Sequence, residues 1–451
     1  MNAAESTVTV RFAPSPSGRL HVGNVRIAIL NWLLSRKAGG RFILRFDDTD
    51  TERSREEYVR MAEEDLGWLG LAWDEKVRQS ARLDRYRAAI DKLKVAERLY
   101  PCYETPEELA LKRKMLLSRG KPPIYDRAAL QLDATAHRKF ETEGRAPHWR
   151  FRLEDGEIRW MDGVRGDVHF EAENVSDPVL IRADGTPLFI LPSVVDDIDF
   201  KVTDVLRGED HVTNTAVQIQ IFEALEAKPP RFAHLPLLTD LHGKGLSKRE
   251  DSLAVSELRD EGLEPMALNS LLALIGSSDP VAPFASLEAL LPNFDLRKFA
   301  RATPKFDPDE LASVNAKLLH ELPFSEVVER LRAIGLDHVD EGFWLAVREN
   351  LARLSDALGW WRVCHAEIAP VVEDADFARK AAALLPEGEW GADTWQAWTD
   401  EVKKATGRKG KALYHPLRLA LTGCERGPEL QNLLPMIGRK RAVARLQGQT
   451  A

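Results

Sequence analysis

The sequence predicts an α/β fold with a parallel sheet, an α+β insertion within that fold, and an all-α C-terminal region. Three observations predict this order. Strand-like and helix-like patterns alternate up to about residue 100, and short alternating strand patterns follow up to residue 188. Helical periodicity then dominates from about residue 321 onward. A chain of 451 residues has room for two to four such domains.

Composition excludes several classes of protein. The chain is 44% hydrophobic and 30% charged, as expected for a soluble globular protein. No run of about 18 apolar residues predicts a membrane span, and no secretory signal is expected. The cysteines, Cys102, Cys364 and Cys424, are few and widely spaced. They indicate a reducing cytoplasm rather than a disulfide framework.

Charge alone gives a weak indication about partners. The net charge of −8 speaks mildly against nucleic-acid binding. Basic clusters at residues 408–411 and 439–441 could nevertheless supply local phosphate contacts. Solvated surface is an equally good interpretation of either cluster.

The first element predicted in detail is a strand, a tight turn and a helix. Residues 10–12 are apolar and β-prone, and the prolines and glycine at 14, 16 and 18 reverse the chain. An apolar helical stripe begins after Gly23 and ends at residues 39–40. A loop before a helix directs free N–H groups and the positive helix end at one point, which suits a phosphate chain. His21 could donate to phosphate oxygens there, and Gly23 lets a ligand come close because it has no Cβ.

Residues 41–46 are predicted to form the second strand and so to close a β-α-β unit with a parallel sheet. Asp47 follows at the carboxyl end of that strand, where open α/β sheets place their ligands. Its carboxylate could accept hydrogen bonds from a substrate ammonium group. A helix cap, supplied by Asp50 or Thr51, is the competing interpretation of this acidic stretch.

The α+β insertion is predicted from a change of pattern after residue 100. A charged helical piece at residues 107–117 gives way to strands at 149–153 and 164–170. Residues 179–190 contain a central Ala-Asp-Gly-Thr turn and predict a hairpin.

Residues 189–199 and 201–210 are predicted to return to the sheet, with a buried parallel strand at 202–206. Arg207 follows that strand, and a guanidinium group pairs with a carboxylate through two hydrogen bonds. Arg11, at the end of the first strand, is its expected partner in one pocket. The alternative is a local ion pair of Arg207 with Glu209 or Asp210.

Residues 244–251, KGLSKRED, form the second candidate functional loop. Glycines favour mobility, and Lys248 supplies a charge that could engage only as negative charge develops on a phosphate. A flexible basic turn without function is the competing interpretation.

The stretches RFAPSPSGRLHVGN and KGLSKRED resemble the two signatures of class I aminoacyl-tRNA synthetases, specifically of the glutamyl-tRNA synthetases. The first signature corresponds to residues 21–24, where Asn24 departs from the general pattern. The resemblance extends over essentially the whole chain. It implies a Rossmann-like catalytic domain at 1–100 and 189–240 and an acceptor-end-binding insertion at 101–188. It also implies a stem-contact region with the lysine loop at 241–320 and a helical anticodon-binding domain at 321–451.

The resemblance implies activation of L-glutamate by ATP with Mg²⁺ and transfer to the terminal ribose of tRNA(Glu). The sequence does not show the oligomeric state, and we expect a monomer. It assigns the catalytic roles to His21 and Lys248. The implied ATP-binding residues are His21, Gly23, Asn24, Leu246, Ser247, Lys248 and Arg249. The implied glutamate-binding residues are Arg11, Ala13, Ser15, Asp47, Phe189, Ser193 and Arg207.

Besides Asn24, four positions differ from the residue that is common in the family. Asp47 replaces a glutamate, Phe189 a tyrosine, Ser193 an asparagine, and Gly245 the first lysine of the loop. A duplicated paralogue that charges mainly tRNA(Gln) with glutamate, and a non-catalytic tRNA-binding protein, therefore remain as alternatives.

Some members of the family hold zinc in the insertion through a Cys-x-Cys pair. Here Cys102 is followed by Glu104, and the next cysteine is Cys364. A closed zinc site needs about four ligands. We therefore predict no zinc.

Overall fold

The computed structural model describes residues 7–246 and 254–451. The chain divides into two compact units, residues 1–259 with 269–307 and residues 260–268 with 308–451. In the described part of the chain, every helix is too short or too polar to cross a membrane.

The strands are β1 Thr9–Phe12, β2 Arg41–Phe46, β3 Glu75–Arg78, β4 Leu99–Cys102, β5 His148–Phe151, β6 Glu157–Asp162, β7 Gly166–Glu171, β8 Val179–Ile181, β9 Asp204–Gly208 and β10 Arg231–Leu235. The α-helices are α1 Val22–Lys37, α2 Glu56–Trp68, α3 Leu83–Val95, α4 Pro106–Ser118, α5 Ala134–Thr142, α6 Ile190–Asp199, α7 Val212–Ala224, α8 Val255–Asp260, α9 Pro265–Leu274, α10 Leu287–Leu290, α11 Pro308–Glu321, α12 Phe324–Ala333, α13 Glu341–Val347, α14 Ala357–His365, α15 Ala375–Ala383, α16 Thr394–Thr406, α17 Lys411–Thr422 and α18 Leu430–Leu446.

The parallel sheet predicted for the first unit is confirmed. Strands β1, β2 and β3 pair in parallel, and β9 pairs in parallel with β10. The two groups meet where the Thr203 amide donates to the Thr9 carbonyl at 2.9 Å. The predicted β-α-β unit is β1, α1 and β2. A Cβ at Gly40 would lie 2.1 Å from the Val8 carbonyl oxygen, so only glycine fits between α1 and β2.

Two local predictions near the sheet are wrong. The segment 189–199 does not return to the sheet but forms α6, because Leu191, Val194 and Val195 recur at helical spacing and are buried. Neither Asp50 nor Thr51 caps a helix, because α2 begins only after Arg55.

The insertion has the predicted mixture of helices and antiparallel strands. Strand β5 pairs with β4 and β8, and β6 and β7 form a separate hairpin. The hairpin predicted at 179–190 is only partly formed. Its turn is present, but β8 ends at Ile181, which makes a single bridge to Pro187 before the chain enters α6.

The second unit is helical in its described residues, as predicted. Its core is a continuous apolar cluster that includes Trp344, Trp398, Leu417 and Leu433. Helix α18 contributes to this cluster along its length and ends near Arg445, whose buried guanidinium donates to backbone carbonyls.

Candidate active site

A cavity of about 710 Å³ opens where β1 and β9 end and α1 begins. The carboxyl ends of parallel strands are the usual ligand position in such sheets. The cavity brings together residues that the sequence separates by more than 200 positions. The predicted site residues in its lining are Arg11, Ala13, Ser15, His21, Gly23, Asn24, Phe189, Arg207 and Leu246.

His21 caps the N-terminus of α1 at one end of the cavity. Its Nδ1 accepts a hydrogen bond from the Gly23 amide at 3.1 Å, and its own amide donates to Asn24 Oδ1 at 3.4 Å. Because Nδ1 accepts, the hydrogen of the neutral ring is on Nε2. A Cβ at Gly23 would lie 3.0 Å from His21 Cε1 and Nδ1. The absence of a side chain at residue 23 therefore sets the position of the imidazole.

The central residues of the lysine loop, Ser247, Lys248 and Arg249, lie outside the described residues. The described residues on both sides of the loop lie beside the first signature. Leu246 lines the cavity, Ala254 bridges to His21, and the Val255 amide donates to the Leu20 carbonyl at 3.0 Å. The chain after the loop is therefore held next to the helix N-terminus, and the residue before it lines the same cavity.

Arg207 lies at the end of β9 and is only 6% exposed. Its Nη2 donates to Thr215 Oγ1 at 2.5 Å and to Gln218 Oε1 at 2.7 Å, and its Nε donates to His234 Nε2 at 3.3 Å. Its Nη1 is buried and has no hydrogen-bond partner among the residues that the structure describes. Burial, together with the charge of Arg11, lowers the pKa of Arg207 to about 9.

The local alternative for Arg207 is wrong. Glu209 pairs with Arg165 instead, at 2.7 Å. Among the described residues, no carboxylate forms an ion pair with Arg207, and its hydrogen bonds go to neutral groups. Asp197 and Asp210 act on it only at longer range, where their charges raise its pKa. A buried cation in this state favours binding of an anion.

Arg11 and Arg45, which also line the cavity, form a different arrangement. Asp197 accepts from both, at 3.2 Å from Arg11 Nε and 2.8 Å from Arg45 Nη1. Arg45 Nε also donates to Asp47 Oδ1 at 2.7 Å. Burial opposes the charge of Arg45, but the Asp47 and Asp197 carboxylates raise its pKa overall.

Asp47 lines a second cavity of about 300 Å³, which shares Ser15 and Phe189 with the main cavity. Burial raises the pKa of Asp47 to about 6, although Arg45 opposes the shift. Ser193 is fully buried and lies outside the linings of both cavities. Its Oγ accepts from Arg45 Nη2 at 3.4 Å.

The structure adds Arg45, Asp197, His211 and His234 to the residues expected from the sequence. The sequence contains an indication that Arg45 is special, because it is a charged residue inside an otherwise apolar buried strand. His211 lines the main cavity with its ring 5.5 Å from that of Phe189. Burial, together with the charge of Arg207, lowers the pKa of His211 to about 4, so its ring is neutral.

One group of potential metal ligands lies in the insertion. Ligand atoms of Cys102, Glu104 and His148 lie within 4.8 Å of one another. Glu104 Oε1 already accepts from Tyr125 at 2.8 Å and from Lys112 at 3.3 Å. Three potential ligands with an ammonium group beside them are fewer than a closed zinc site uses. The absence of zinc stays a prediction, which metal analysis of the purified protein would test.

Comparisons with known proteins identify the family of the chain. Residues 7–313 match the family described as tRNA synthetases class I (E and Q), catalytic domain, and residues 373–449 match an anticodon binding domain. Glutamate–tRNA ligase 2 of Methylorubrum populi is 56% identical over 443 residues, covering 98% of this chain and 99% of that protein. Glutamate–tRNA ligase of Azospirillum brasilense is also 56% identical, over 446 residues, covering 99% of this chain and 100% of that protein.

A solved structure extends the similarity to the fold. The glutamate tRNA ligase of Elizabethkingia meningosepticum, crystallised in complex with its amino acid, superimposes with a TM-score of 0.85 at 26% identity. The match covers 98% of each chain. The chain therefore belongs to the class I tRNA synthetases of the glutamate and glutamine family.

Proposed function

We propose that this chain carries out the reaction for which its relatives are named. The α-carboxylate of L-glutamate attacks the α-phosphate of ATP, which forms glutamyl-adenylate and releases pyrophosphate. A hydroxyl of the terminal ribose of tRNA(Glu) then attacks the activated carbonyl and releases AMP. The observation that carries this proposal is the buried Arg207, which has no carboxylate partner and lies in one cavity with His21 and Gly23.

At the amino-acid end, Arg207 binds a carboxylate of glutamate through its unpartnered Nη1. A buried guanidinium group recognises a carboxylate strongly because the pair exchanges charge-assisted hydrogen bonds away from water. Arg11 supplies the second positive charge, and Ala13, Ser15 and Phe189 form the walls. Asp47, in the neighbouring cavity that shares Ser15 with the main one, accepts hydrogen bonds from the ammonium group of glutamate. Ser193 does not contact glutamate, but its Oγ accepts a hydrogen bond from Arg45 and so helps to hold that side chain.

At the nucleotide end, His21 and Asn24 contact ATP, and Gly23 leaves room for it. Mg²⁺ enters with ATP and is held by triphosphate oxygens. Leu246, Ser247, Lys248 and Arg249 complete this end, with Lys248 engaging the phosphates in the transition state. A mobile cation that binds more strongly at that stage raises kcat. The position of Leu246 and the bridge from Ala254 to His21 support this convergence.

The remaining regions bind tRNA. The insertion at 101–188 contacts the acceptor end, residues 241–320 contact the stem, and the helical residues 321–451 contact the anticodon. The match of residues 373–449 to an anticodon binding domain supports the last assignment. The protein acts in the cytoplasm as a monomer.

Glutamate-dependent exchange of pyrophosphate into ATP tests the proposal. We expect exchange by the purified protein, and we expect it to require added tRNA. Lys248→Ala should lower kcat by about 10²–10³-fold, because the loop cation no longer stabilises the phosphate charge. Absence of exchange by the unsubstituted protein both with and without tRNA would remove the enzyme claim and leave a tRNA-binding protein.

A second candidate is a paralogue that charges mainly tRNA(Gln) with glutamate. Its support is the set of departures at Phe189, Ser193 and Gly245, together with relatives whose names carry the numbers 1 or 2. Charging of purified tRNA(Glu) and tRNA(Gln) side by side separates the two candidates, because each predicts a preference for a different tRNA.

A further inference from the structure

Arg207 is connected to the insertion by a buried chain of hydrogen bonds. Its Nε donates to His234 Nε2 at 3.3 Å, and His234 Nδ1 lies 2.5 Å from Asp162 Oδ2. His234 is on β10 and is fully buried, and Asp162 ends β6 and is 3% exposed. Neither residue lines the main cavity. Both reach it through Arg207, directly and by way of Thr215, whose Oγ1 lies 2.9 Å from His234 Nε2 and accepts from Arg207 Nη2.

The chemistry of the chain sets the tautomer of His234. An arginine Nε can only donate, so His234 Nε2 must accept and cannot carry a hydrogen. The ring hydrogen is therefore on Nδ1 and is donated to Asp162. Burial lowers the pKa of His234, which agrees with a neutral ring beside a guanidinium group.

Asp162 is held in turn by the backbone of the hairpin. Its Oδ1 accepts from the amides of Val164 at 3.1 Å, Arg165 at 3.0 Å and His234 at 3.0 Å. The hairpin itself contacts β10, where the Gly163 amide donates to the Phe232 carbonyl at 2.8 Å. The carboxylate is therefore a rigid reference point for the imidazole.

Thr215 and Gln218 hold Nη2 of the same guanidinium, so two of its three nitrogens are bonded and only Nη1 remains for a ligand. We propose that Asp162 and His234 are positioning residues that hold Arg207 Nη1 toward the carboxylate of the amino-acid substrate. The proposal rests on the proposed function, in which that substrate is glutamate. It implies that the insertion affects amino-acid binding through the hydrogen bonds from Asp162 to His234 and from His234 to Arg207.

Asp162→Asn tests the proposal most directly, because it should reverse the tautomer of His234 with little change in the size of the side chain at residue 162. The amide oxygen is expected at the Oδ1 position, where three backbone donors meet, which puts the NH₂ group against His234 Nδ1. The ring must then move its hydrogen to Nε2, where it faces the Nε–H of Arg207. We expect the KM for glutamate in pyrophosphate exchange to rise about 10–100-fold with the KM for ATP nearly unchanged.

A pair of variants at His234 tests the same step independently. His234→Leu removes the acceptor for Arg207 and should raise the KM for glutamate to a similar extent. His234→Gln can place an oxygen near the former Nε2 position and should recover most of the loss. Recovery by an acceptor is a result that a merely space-filling role would not produce.

Asp177→Asn is the matched control. Asp177 is also a buried carboxylate of the insertion and accepts from Tyr100 at 2.8 Å and from the Leu153 amide at 3.1 Å, but it does not contact Arg207. It should lower the thermal midpoint without raising the KM for glutamate.

The outcomes separate the two proposals. An inactive unsubstituted protein contradicts the proposed function. An active one in which folded His234→Leu keeps the KM for glutamate within about twofold overturns the positioning role. An equal rise of that KM in Asp177→Asn overturns it as well. If Asp162→Asn does not fold, the two His234 variants decide the question.

Discussion

On the β1–β2 side of the cavity, Arg11 and Arg45 form ion pairs with the carboxylates of Asp47 and Asp197, whereas on the β9 side the hydrogen bonds of Arg207 go only to neutral groups. The three guanidinium groups are equally buried. On the first side the protein supplies the opposite charges itself. On the second side one charge remains without a counterion.

This difference separates arginines whose charge the protein already pairs with its own carboxylates from one whose charge is left to pair with a ligand. A buried charge without a partner is costly, and a neighbouring carboxylate offsets that cost. Arg11 and Arg45 are compensated in the empty protein. Arg207 is compensated only when an anion enters the cavity. The contrast therefore predicts that the loss of Arg207 changes substrate binding most, and that the loss of a carboxylate on the other side changes stability most.

Of the variants considered, Arg207→Gln should have the largest effect, because it removes the arginine that has no carboxylate partner among the described residues. We expect kcat/KM for glutamate to fall by about 10³-fold, because a substrate carboxylate would be buried without its charged donor. Pyrophosphate exchange with glutamate varied measures it. Arg231→Gln, an exposed position on the neighbouring strand β10, should change the same parameter by less than about twofold. Equal effects of the two variants would contradict the assignment.

Asp197→Asn tests the compensated side. Arg11 would lose its carboxylate, whereas Arg45 would retain Asp47 at 2.7 Å and Asp196 at 3.9 Å. The free energy of unfolding should fall by about 3 kcal/mol. Urea unfolding measures the change. Asp199→Asn on the same helix is the control, since Asp199 pairs with the more exposed Arg82 and Arg85. A loss of about 1 kcal/mol or less is expected there.

Gly23→Ala tests the nucleotide end of the cavity, to which none of the three compared arginines belongs. The new Cβ would press on the His21 ring at 3.0 Å and displace it. The KM for ATP should rise about tenfold, with the KM for glutamate unchanged. Gly67→Ala in α2, where a Cβ meets nothing within 4 Å, should leave both values as they are. A rise confined to the KM for glutamate would show that the two ends are not separate.

Asp47→Asn tests how the stability of the compensated side depends on pH. The pKa of Asp47 is raised to about 6 by burial, whereas an aspartate in the unfolded chain titrates near pH 3.9. The folded state thus binds the proton more tightly, and this contribution to stability is full below about pH 4 and lost as the pH rises through about 6. From about pH 7.5 to about pH 5, the stability of the unsubstituted protein relative to Asp47→Asn should increase by about 1 kcal/mol in urea unfolding. A constant difference, or a change of opposite sign, would mean that Arg45 keeps Asp47 ionised.

The sequence by itself determined the parallel β-α-β unit, the mixed insertion and the helical C-terminal region, and together with the family resemblance it pointed to nine residues of the main cavity lining. These features follow from local properties: apolar periodicity, the prolines and glycines of the first turn, and glycine where α1 meets β2. The motifs that contain His21, Gly23 and Arg207 are also local. Strand-like composition misled at residues 189–199, because a buried helix and a buried strand have similar apolar content.

Only the tertiary structure decided which charges meet. Arg45 and Asp197 are 152 positions apart, and Asp162 and His234 are 72 positions apart. No local pattern specifies such pairs, because ion pairs and hydrogen bonds in a core depend on which strands and helices the fold places side by side. The charge balance that distinguishes Arg207 from Arg11 therefore arises from packing, although every residue that takes part is visible in the sequence.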